Sequence, residues 1–262
     1  MSKSILLQRD PEAPIATLIL SNPAKLNALN AAMWRELKSA MTSLHDDESL
    51  RCIVIRGAGE CFAAGGDVKE FLKLRADFGQ ARQYHDVWVA EALKSIVACR
   101  HPTVAMIAGP CIGGGLEIAS CCDLRIAASS ARFGAPIMKL GFTMAATELI
   151  GLVALAGPAV ALEILLEGRL LSAHEAYEKR LLTRVVDDDE LERECHAAAM
   201  RIASGAPLVA RAHKQLVRRL MAEVRALSAA EFHDNFAFLD SEDYREGLNA
   251  FLEKRAPQFK GR

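Results

Sequence analysis

Apolar positions recur along this chain with two rhythms. In the first half, short apolar runs at Ser4–Gln8, Ile15–Leu20, Arg51–Arg56 and Thr103–Gly109 predict strands. Helical spacing separates them. Met33, Leu37, Ala40, Met41 and Leu44 share one face of a helix predicted over Ala31–Leu44, behind Asn30 as N-cap. An amphipathic segment follows at Val68–Leu74, then a helix over Gln80–Cys99 that His101-Pro102 breaks. Leu116–Ser120 reads as a helix and Asp123–Ala127 as a strand. After Gly141 the pattern turns helical. Helices are predicted at Ala145–Ala156, Pro158–Leu166 and Ser172–Tyr177, the last with Ser172 and Glu175 at capping-box spacing. One short strand, Arg184–Val186, precedes helices at Glu190–Ala203, Pro207–Ala226, Ser228–Leu239 and Ser241–Glu253. The reading is an α/β body with a helical tail. Such a tail buries its apolar faces on its own core or on a partner subunit.

Composition narrows the function classes. A net charge of −1 over 262 residues leaves no global basic field for nucleic acid or acidic membrane. No unbroken run of about 18 apolar residues occurs, and the first 20 residues lack the secretory pattern. The expectation is a cytoplasmic protein with no membrane span. Seven cysteines, an odd number set in apolar stretches without C-x-x-C spacing, read as reduced buried thiols rather than disulfides or a metal site. Cys111, in GPCIGGG, is the one with a setting that suggests reactivity. Arg211, Lys214, Arg218 and Arg219 form a local basic run, read as a solvated helix face or a surface for an acidic partner such as RNA.

Two segments share one design: a buried strand, a glycine-rich bend and a helix start. They are RCIVIRGAGECFAAGGDVKE and TVAMIAGPCIGGGLEIA. The first N–H groups of a helix lack internal partners and point outward at its positive end. Two such ends converging would hold one oxygen as negative charge develops on it. Both bends also read as plain tight turns, and spacing alone leaves that open. Neither carries the dinucleotide or P-loop fingerprint. Glu117 follows the second bend, among Leu116, Ile118 and Ala119. A buried carboxylate there would have a raised pKa, suited to giving and taking protons, unless Arg125 pairs with it.

NPAKLNALN, FAAGGDVKE, GPCIGGGLEIASCCDLRIA, ARFGAP and FLEKRAPQFKGR, in this order and spacing, resemble the crotonase (enoyl-CoA hydratase/isomerase) family from about residue 5 to the C-terminus. The resemblance implies a crotonase-like (ClpP/crotonase) α/β core of repeated ββα units over residues 1–200. It implies a helical trimerisation region over 201–262, giving homotrimers or hexamers as dimers of trimers. It implies coenzyme A thioester substrates, with CoA entering as part of the substrate and no separate cofactor or metal. By position, the oxyanion-hole amides are Gly66 and Gly114, and Glu117 is the first catalytic glutamate. Lys25, Leu26, Ala64, Gly65, Asp67, Val68 and Gly113 would line the substrate and CoA site, with the Ala64 carbonyl facing adenine; Lys254 would reach phosphates of a neighbouring subunit.

The chain departs from the family where hydratases carry a second glutamate, in the pattern F-G-x-P-E. Here Phe133-Gly134-Ala135-Pro136 is followed by Ile137, which moves no proton. Glu148, in GFTMAATELIGL, is the nearby carboxylate able to compensate, or else a dipole-favoured helix-start residue. Enolate stabilisation survives this change. Hydration is expected to be weakened or lost by it, yet the match along the whole chain makes enoyl-CoA hydratase/isomerase chemistry the expected reaction type, with decarboxylation of a malonyl-type thioester as the alternative. A CoA- or RNA-binding module without turnover is the alternative of another class. Tyr84, Trp88, Phe142 and Met144 are candidates to shape the acyl pocket.

Overall fold

The computed structural model describes residues 4–222, 228, 230–231, 234 and 236–262. Its strands are β1 (Ser4–Arg9), β2 (Ile15–Ser21), β3 (Cys52–Gly57), β4 (Thr103–Ile107), β5 (Pro110–Ile112), β6 (Leu124–Ala128), β7 (Arg132–Gly134), β8 (Leu171–Ser172) and β9 (Arg184–Val186). Six of them form one sheet in the order β1-β2-β3-β4-β6-β9, and β5-β7-β8 form a second, smaller one. In the large sheet only the β1–β2 pair is antiparallel. Parallel strands are joined by crossovers that cover the sheet, so interior strands are apolar on both faces. In β3, Cys52, Ile53, Val54 and Ile55 are buried in succession.

The helices are α1 (Ala31–Asp46), α2 (Val68–Leu74), α3 (Phe78–Arg82), α4 (Ala90–Ala98), α5 (Gly114–Cys121), α6 (Ala146–Glu167), α7 (Ala173–Glu178), α8 (Leu191–Ala203) and α9 (Pro207–Ala222), followed by a helix at Glu242–Leu252. On one side of the large sheet, Ile53 and Ile55 join the main core with Met33, Trp34, Leu37, Met41 and Leu44 of α1. On the other, Cys52, Val54, Val104 and Ile126 pack with Leu191, Cys195 and Ala199 of α8. The Asn30 cap forms as the sequence indicates, its side chain accepting from the Met33 N–H at 2.8 Å. So does the Ser172–Glu175 box.

A repeating unit organises the middle of the chain. β4–β5–α5 and β6–β7–α6 each place one strand in the large sheet, one in the small sheet and then a helix. β3 starts an earlier unit of the same kind: Ala63 bridges in parallel to Cys111 of β5 before the chain enters α2. This is the crotonase-like arrangement that the resemblance implies. It stacks the two glycine-rich bends, because each lies between a small-sheet position and a helix.

Several local expectations change in the structure. The strands of the small sheet are only two or three residues long, too short for a periodicity signal, and none was expected at β5, β7 or β8. The helix expected over Gln80–Cys99 is interrupted by π-helical winding over Gln83–Val89, between α3 and α4. The two helices expected over 145–166 do form as the two halves of α6, which breaks at Gly157, whose φ of 79° and ψ of 168° are not helical, and resumes at Pro158. Of the helix expected over Ser228–Leu239, positions 229, 232, 233 and 235 lie outside the described residues, Ala230, Glu231 and Asp234 are helical, and Ala237–Asp240 is a 3-10 turn; positions 223–226 of the helix expected over Pro207–Ala226 also lie outside. Helix α6 is long and apolar enough to cross a membrane by length and composition, with mean hydropathy 2.3. Counting unbroken apolar runs did not register it, because Glu163 interrupts the run. It packs on α5 and leaves Ile150, Leu162 and Leu166 exposed.

The basic run of α9 is neither a solvated face nor free for an acidic partner at its key positions. Lys214 Nζ lies 2.8 Å from Asp123 Oδ2 and donates to the His101 carbonyl, while Arg218 donates to Asp123 Oδ1 at 2.7 Å and to the Cys121 carbonyl. These cations pin α9 to the loop between α5 and β6. Arg219 is paired with Glu231. All seven cysteines are free and buried. Cys111, expected to be the reactive one, is fully buried, and burial pushes its thiol well above the usual range, so it is inert packing.

Candidate active site

The site begins with two asparagines in NPAKLNALN. Asn27 is buried with φ 57° and donates from its side-chain amide to the carbonyls of Ala58 and Cys61, at 2.9 and 2.7 Å. Asn22 holds the turn by donating to the Ala28 carbonyl. The first glycine bend is thereby clamped on one side. Ala64 N–H donates to the Leu26 carbonyl, Leu29 N–H to Gly65, and Asp67 N–H back to Leu29, at 2.7–2.9 Å. On its other side the bend is stitched to the second. Phe62 N–H donates to Ala108, Ala63 N–H to Pro110, and Ile112 N–H to Ala63.

The bends therefore touch. A Cβ placed on Gly113 would stand 3.7 Å from the Gly65 Cα. Both glycines need positive φ, 103° at Gly65 and 48° at Gly113, which L residues with a Cβ rarely adopt. Next in sequence come Gly66 and Gly114, the latter the first residue of α5. Among the described residues neither N–H has a hydrogen-bond acceptor, as also holds for Gly65, Val68, Gly115 and Leu116, whereas the amides of Ala64, Asp67, Gly113 and Glu117 have one. Both residues line one cavity of about 130 Å³. Gly114 is buried and Gly66 half-buried, and an oxygen of a ligand between them would satisfy both donors.

Glu117, one turn into α5, lines the same cavity and is 7% exposed. Arg125 does not pair with it. That guanidinium donates instead to the carbonyls of Leu181 at 2.8 Å and Cys122 at 2.6 Å. Burial, and secondarily the charge of Glu148, raise the Glu117 pKa well above the usual carboxylate range. Glu148 is not a surface group at a helix start. It is 5% exposed, lines the cavity, and its Oε1 lies 2.5 Å from His85 Nδ1. Its Oε2 accepts the Ala145 N–H at 3.3 Å, which closes the first turn of α6. His85 also lines the cavity, from the π-helical segment. Tyr84 beside it accepts a hydrogen bond from Trp34 Nε1 at 3.2 Å, and burial raises its phenol pKa. Val68, Phe71, Val89, Ile112, Leu140 and Phe142 complete the apolar wall.

Comparison with known proteins agrees with this geometry. The sequence pattern of the enoyl-CoA hydratase/isomerase family matches residues 10–262. The chain belongs to that family, the crotonases. Among curated relatives, a probable enoyl-CoA hydratase of Mycobacterium tuberculosis is 38% identical over 261 residues, with 98% of each chain covered. A crotonyl-CoA hydratase of Syntrophomonas wolfei is 34% identical over 266 residues, again with 98% of each covered. Among solved structures, an enoyl-CoA hydratase/carnithine racemase from Magnetospirillum magneticum superposes with TM-score 0.96 at 47% identity, covering 100% of this chain and 97% of the other.

Within this crotonase, the expected site residues divide into two groups. Gly66, Gly114, Glu117, Glu148, Ala64, Gly65, Val68 and Gly113 all line the one cavity. Lys25, Leu26, Asp67 and Lys254 do not. Lys25 forms an ion pair with Asp67, and Asp67 caps α2 by accepting the Lys69 N–H. Leu26 is exposed beside them and holds Ala64 through its carbonyl. The Ala64 carbonyl itself accepts nothing among the described residues. Lys254 sits in the exposed C-terminal segment, with φ 54°. Ile137 does line the cavity, so an apolar side chain occupies the wall where hydratases have a carboxylate. Of the acyl-pocket candidates, Tyr84 and Phe142 are on the wall, whereas Trp88 and Met144 pack against the core. Sequence reasoning missed Trp34 and His85. The helical spacing of α1 could have shown Trp34; no local pattern marks His85. Among the described residues no cluster of side chains could hold a metal ion.

Proposed function

We propose that this enzyme of the enoyl-CoA hydratase/isomerase type hydrates a short-chain 2-enoyl-CoA. The substrate thioester oxygen would lie between the Gly66 and Gly114 N–H groups. The observation that carries the reading is this pair of acceptor-free amides at touching bends, with a desolvated Glu117 on the same cavity wall. When water adds at C3, the C2=C3 electrons move onto the thioester and charge develops on its oxygen. Preorganised donors aimed at that charge are worth about 10²–10³-fold each. Glu117, with its raised pKa, holds a proton at pH values where an ordinary glutamate would not, and so can deliver it to C2.

The size of the cavity supports a short acyl group. An engineered protein cavity of roughly 150 Å³ takes up benzene, so about 130 Å³ suits a chain of roughly four to six carbons. Its charge argues against the malonyl-type alternative. No lysine or arginine lines it, so a substrate carboxylate would be desolvated there without an ammonium or guanidinium partner. The CoA portion would run outward along Val68 and the Ala64 carbonyl, past Leu26 and the Lys25–Asp67 pair. The C-terminal helical region, from about residue 201, would build the homotrimer or hexamer. Its exposed Val217, Leu220, Met221, Leu248, Phe251 and Leu252 support that, because apolar patches of this kind are normally covered. Lys254 would then reach a neighbour's CoA phosphates.

The test is a panel of thioesters: crotonyl-, hexenoyl-, long-chain enoyl- and malonyl-CoA. Hydration is followed by loss of the enoyl absorbance. Solvent-deuterium exchange at C2 of butyryl-CoA reports enolate formation separately. Turnover confined to four- to six-carbon enoyl thioesters is expected. Binding without exchange or hydration would leave only a CoA-binding module.

A further inference from the structure

The hydration reading leaves one task unassigned: with Ile137 at the second carboxylate position, nothing so far takes a proton from the attacking water. We propose that His85, held by Glu148, is the catalytic base that activates this water, so that the two residues together replace the carboxylate missing at Ile137. The inference rests on the hydration reading above.

Three observations on the structure converge. First, His85 Nδ1 is 2.5 Å from Glu148 Oε1, and Glu148 is itself anchored through Oε2 to the Ala145 amide. A carboxylate on Nδ1 fixes the ring orientation and keeps the Nδ1 proton in place, which leaves Nε2 as the basic nitrogen. This is the carboxylate–imidazole logic by which a histidine becomes a general base. Second, His85 Nε2 is buried and has no hydrogen-bond partner among the described residues. Most buried ring nitrogens in native folds have a partner. Here one is satisfied and the other has no partner among the described residues, in a residue that lines the cavity. Third, His85 comes from a π-helical stretch, Gln83–Val89, inside an otherwise α-helical run. Such winding is rare and frequently lies at functional sites. The same stretch presents Tyr84 and Val89 to the cavity. Tyr84 packs edge-on against the His85 ring, with centroids 5.0 Å apart, and its hydroxyl is occupied by Trp34. The titratable groups on the cavity wall are therefore Glu117, Glu148, His85 and the engaged Tyr84.

The step balances as follows. Nε2 of His85 takes one proton from water as the water oxygen bonds to C3. The C2=C3 pair shifts to C1, and its carbonyl electrons move onto the oxygen held by Gly66 and Gly114. The enolate then collapses, and C2 takes the proton of Glu117. The imidazolium formed is stabilised by the Glu148 carboxylate. Its proton returns to Glu117 before the next turnover, so no external oxidant, reductant or co-reactant is consumed.

Two variants test this on the full-length protein. In His85→Gln, crotonyl-CoA hydration is expected to fall by about 10²–10⁴-fold, the usual weight of a general base. C2 exchange of butyryl-CoA, which needs the amides and the ionised fraction of Glu117 as base, should fall less than tenfold. In Glu148→Gln, which keeps the imidazole but removes its carboxylate, the acidic limb of kcat/KM should move to lower pH. A residue serving only to pack α6 against the π-helical segment would move neither the limb nor the ratio of hydration to exchange. The proposal is overturned if folded His85→Gln hydrates within threefold of the parent protein. Should that variant fail to fold, an acidic limb unmoved in Glu148→Gln overturns it instead. Release of free CoA thiol in place of hydration would put the activated water at C1 and also overturn it. If the parent protein neither hydrates enoyl thioesters nor exchanges C2, the hydration reading itself fails, which is a different result from hydration that survives loss of His85.

Discussion

Replacing Glu117 by Gln should stabilise the protein at neutral pH while removing its activity. The side chain sits in an apolar helix with no ion-pair or hydrogen-bond partner among the described residues, and burial followed by the Glu148 charge raises its pKa well above the usual range. In the unfolded chain a glutamate ionises near pH 4.3. Below that pH both states hold the proton, and Glu117 adds no pH dependence. Above it the unfolded chain has released the proton while the folded protein still holds it. Stability therefore falls as pH rises, until the folded pKa is passed. Each unit of elevation weighs about 1.4 kcal/mol against folding. For a chain of this size, 1 kcal/mol moves Tm by roughly 2–4 °C. Glutamine keeps the shape and removes the ionisation. Thermal melts of Glu117→Gln and the parent protein should coincide near pH 4 and separate towards pH 8, with the variant higher by roughly 3–5 °C for each unit of elevation. Hydration should fall by about 10²–10⁴-fold over the same range. A Tm difference that is constant with pH, or a variant less stable at pH 8 than at pH 4 relative to the parent, would refute the claim that Glu117 is a strained, desolvated acid.

Three further outcomes follow from other contacts. In Gly114→Ala the new Cβ would stand 2.9 Å from the Trp34 ring and 3.2 Å from Leu29, so the amide must shift; kcat should fall at least tenfold with a smaller change in KM, read by steady-state kinetics on crotonyl-CoA. His101 is buried with both ring nitrogens unpartnered among the described residues, and burial followed by the charges of Arg211 and Arg100 lowers its pKa to about 4. Because the unfolded imidazole protonates near pH 6.5, stability should be lost on acidification between about 6.5 and 4, by on the order of 3 kcal/mol; in His101→Gln the denaturant midpoint should lose this dependence. Asp123→Ala strands Lys214, whose side chain is 6% exposed, and Arg218 without their counter-ion. Urea unfolding should show a loss on the order of 3 kcal/mol, while a loss under 1 kcal/mol would mean the cations re-pair.

Much of this protein could be read directly from its residues, because the relevant physics acts over a few positions. The Asn30 cap reaches only to Met33, and the Ser172 box only to Glu175. The apolar runs that became β2, β3 and β4 record burial on two faces, and the glycines of each bend record a backbone that tolerates no Cβ. Glu117 could be placed in an apolar setting from its immediate neighbours alone. The folded chain decided the rest through pairs distant in sequence. Arg125 was a reasonable partner for Glu117 by proximity, yet the turn after α5 carries it to the Leu181 carbonyl. Lys214 and Arg218 read as a basic face until Asp123, far back in the chain, took them both. Lys25 stands alone in its sequence segment, and the fold pairs it with Asp67. Most of all, Glu148 looked like a dipole-favoured residue at the start of a helix. Its meeting with His85 across 63 positions depends on how α6 docks beside a π-wound segment, and neither feature leaves a local periodic signal. Sequence patterns encode which face of an element seeks burial; they do not encode which polar atoms two packed elements will bring together.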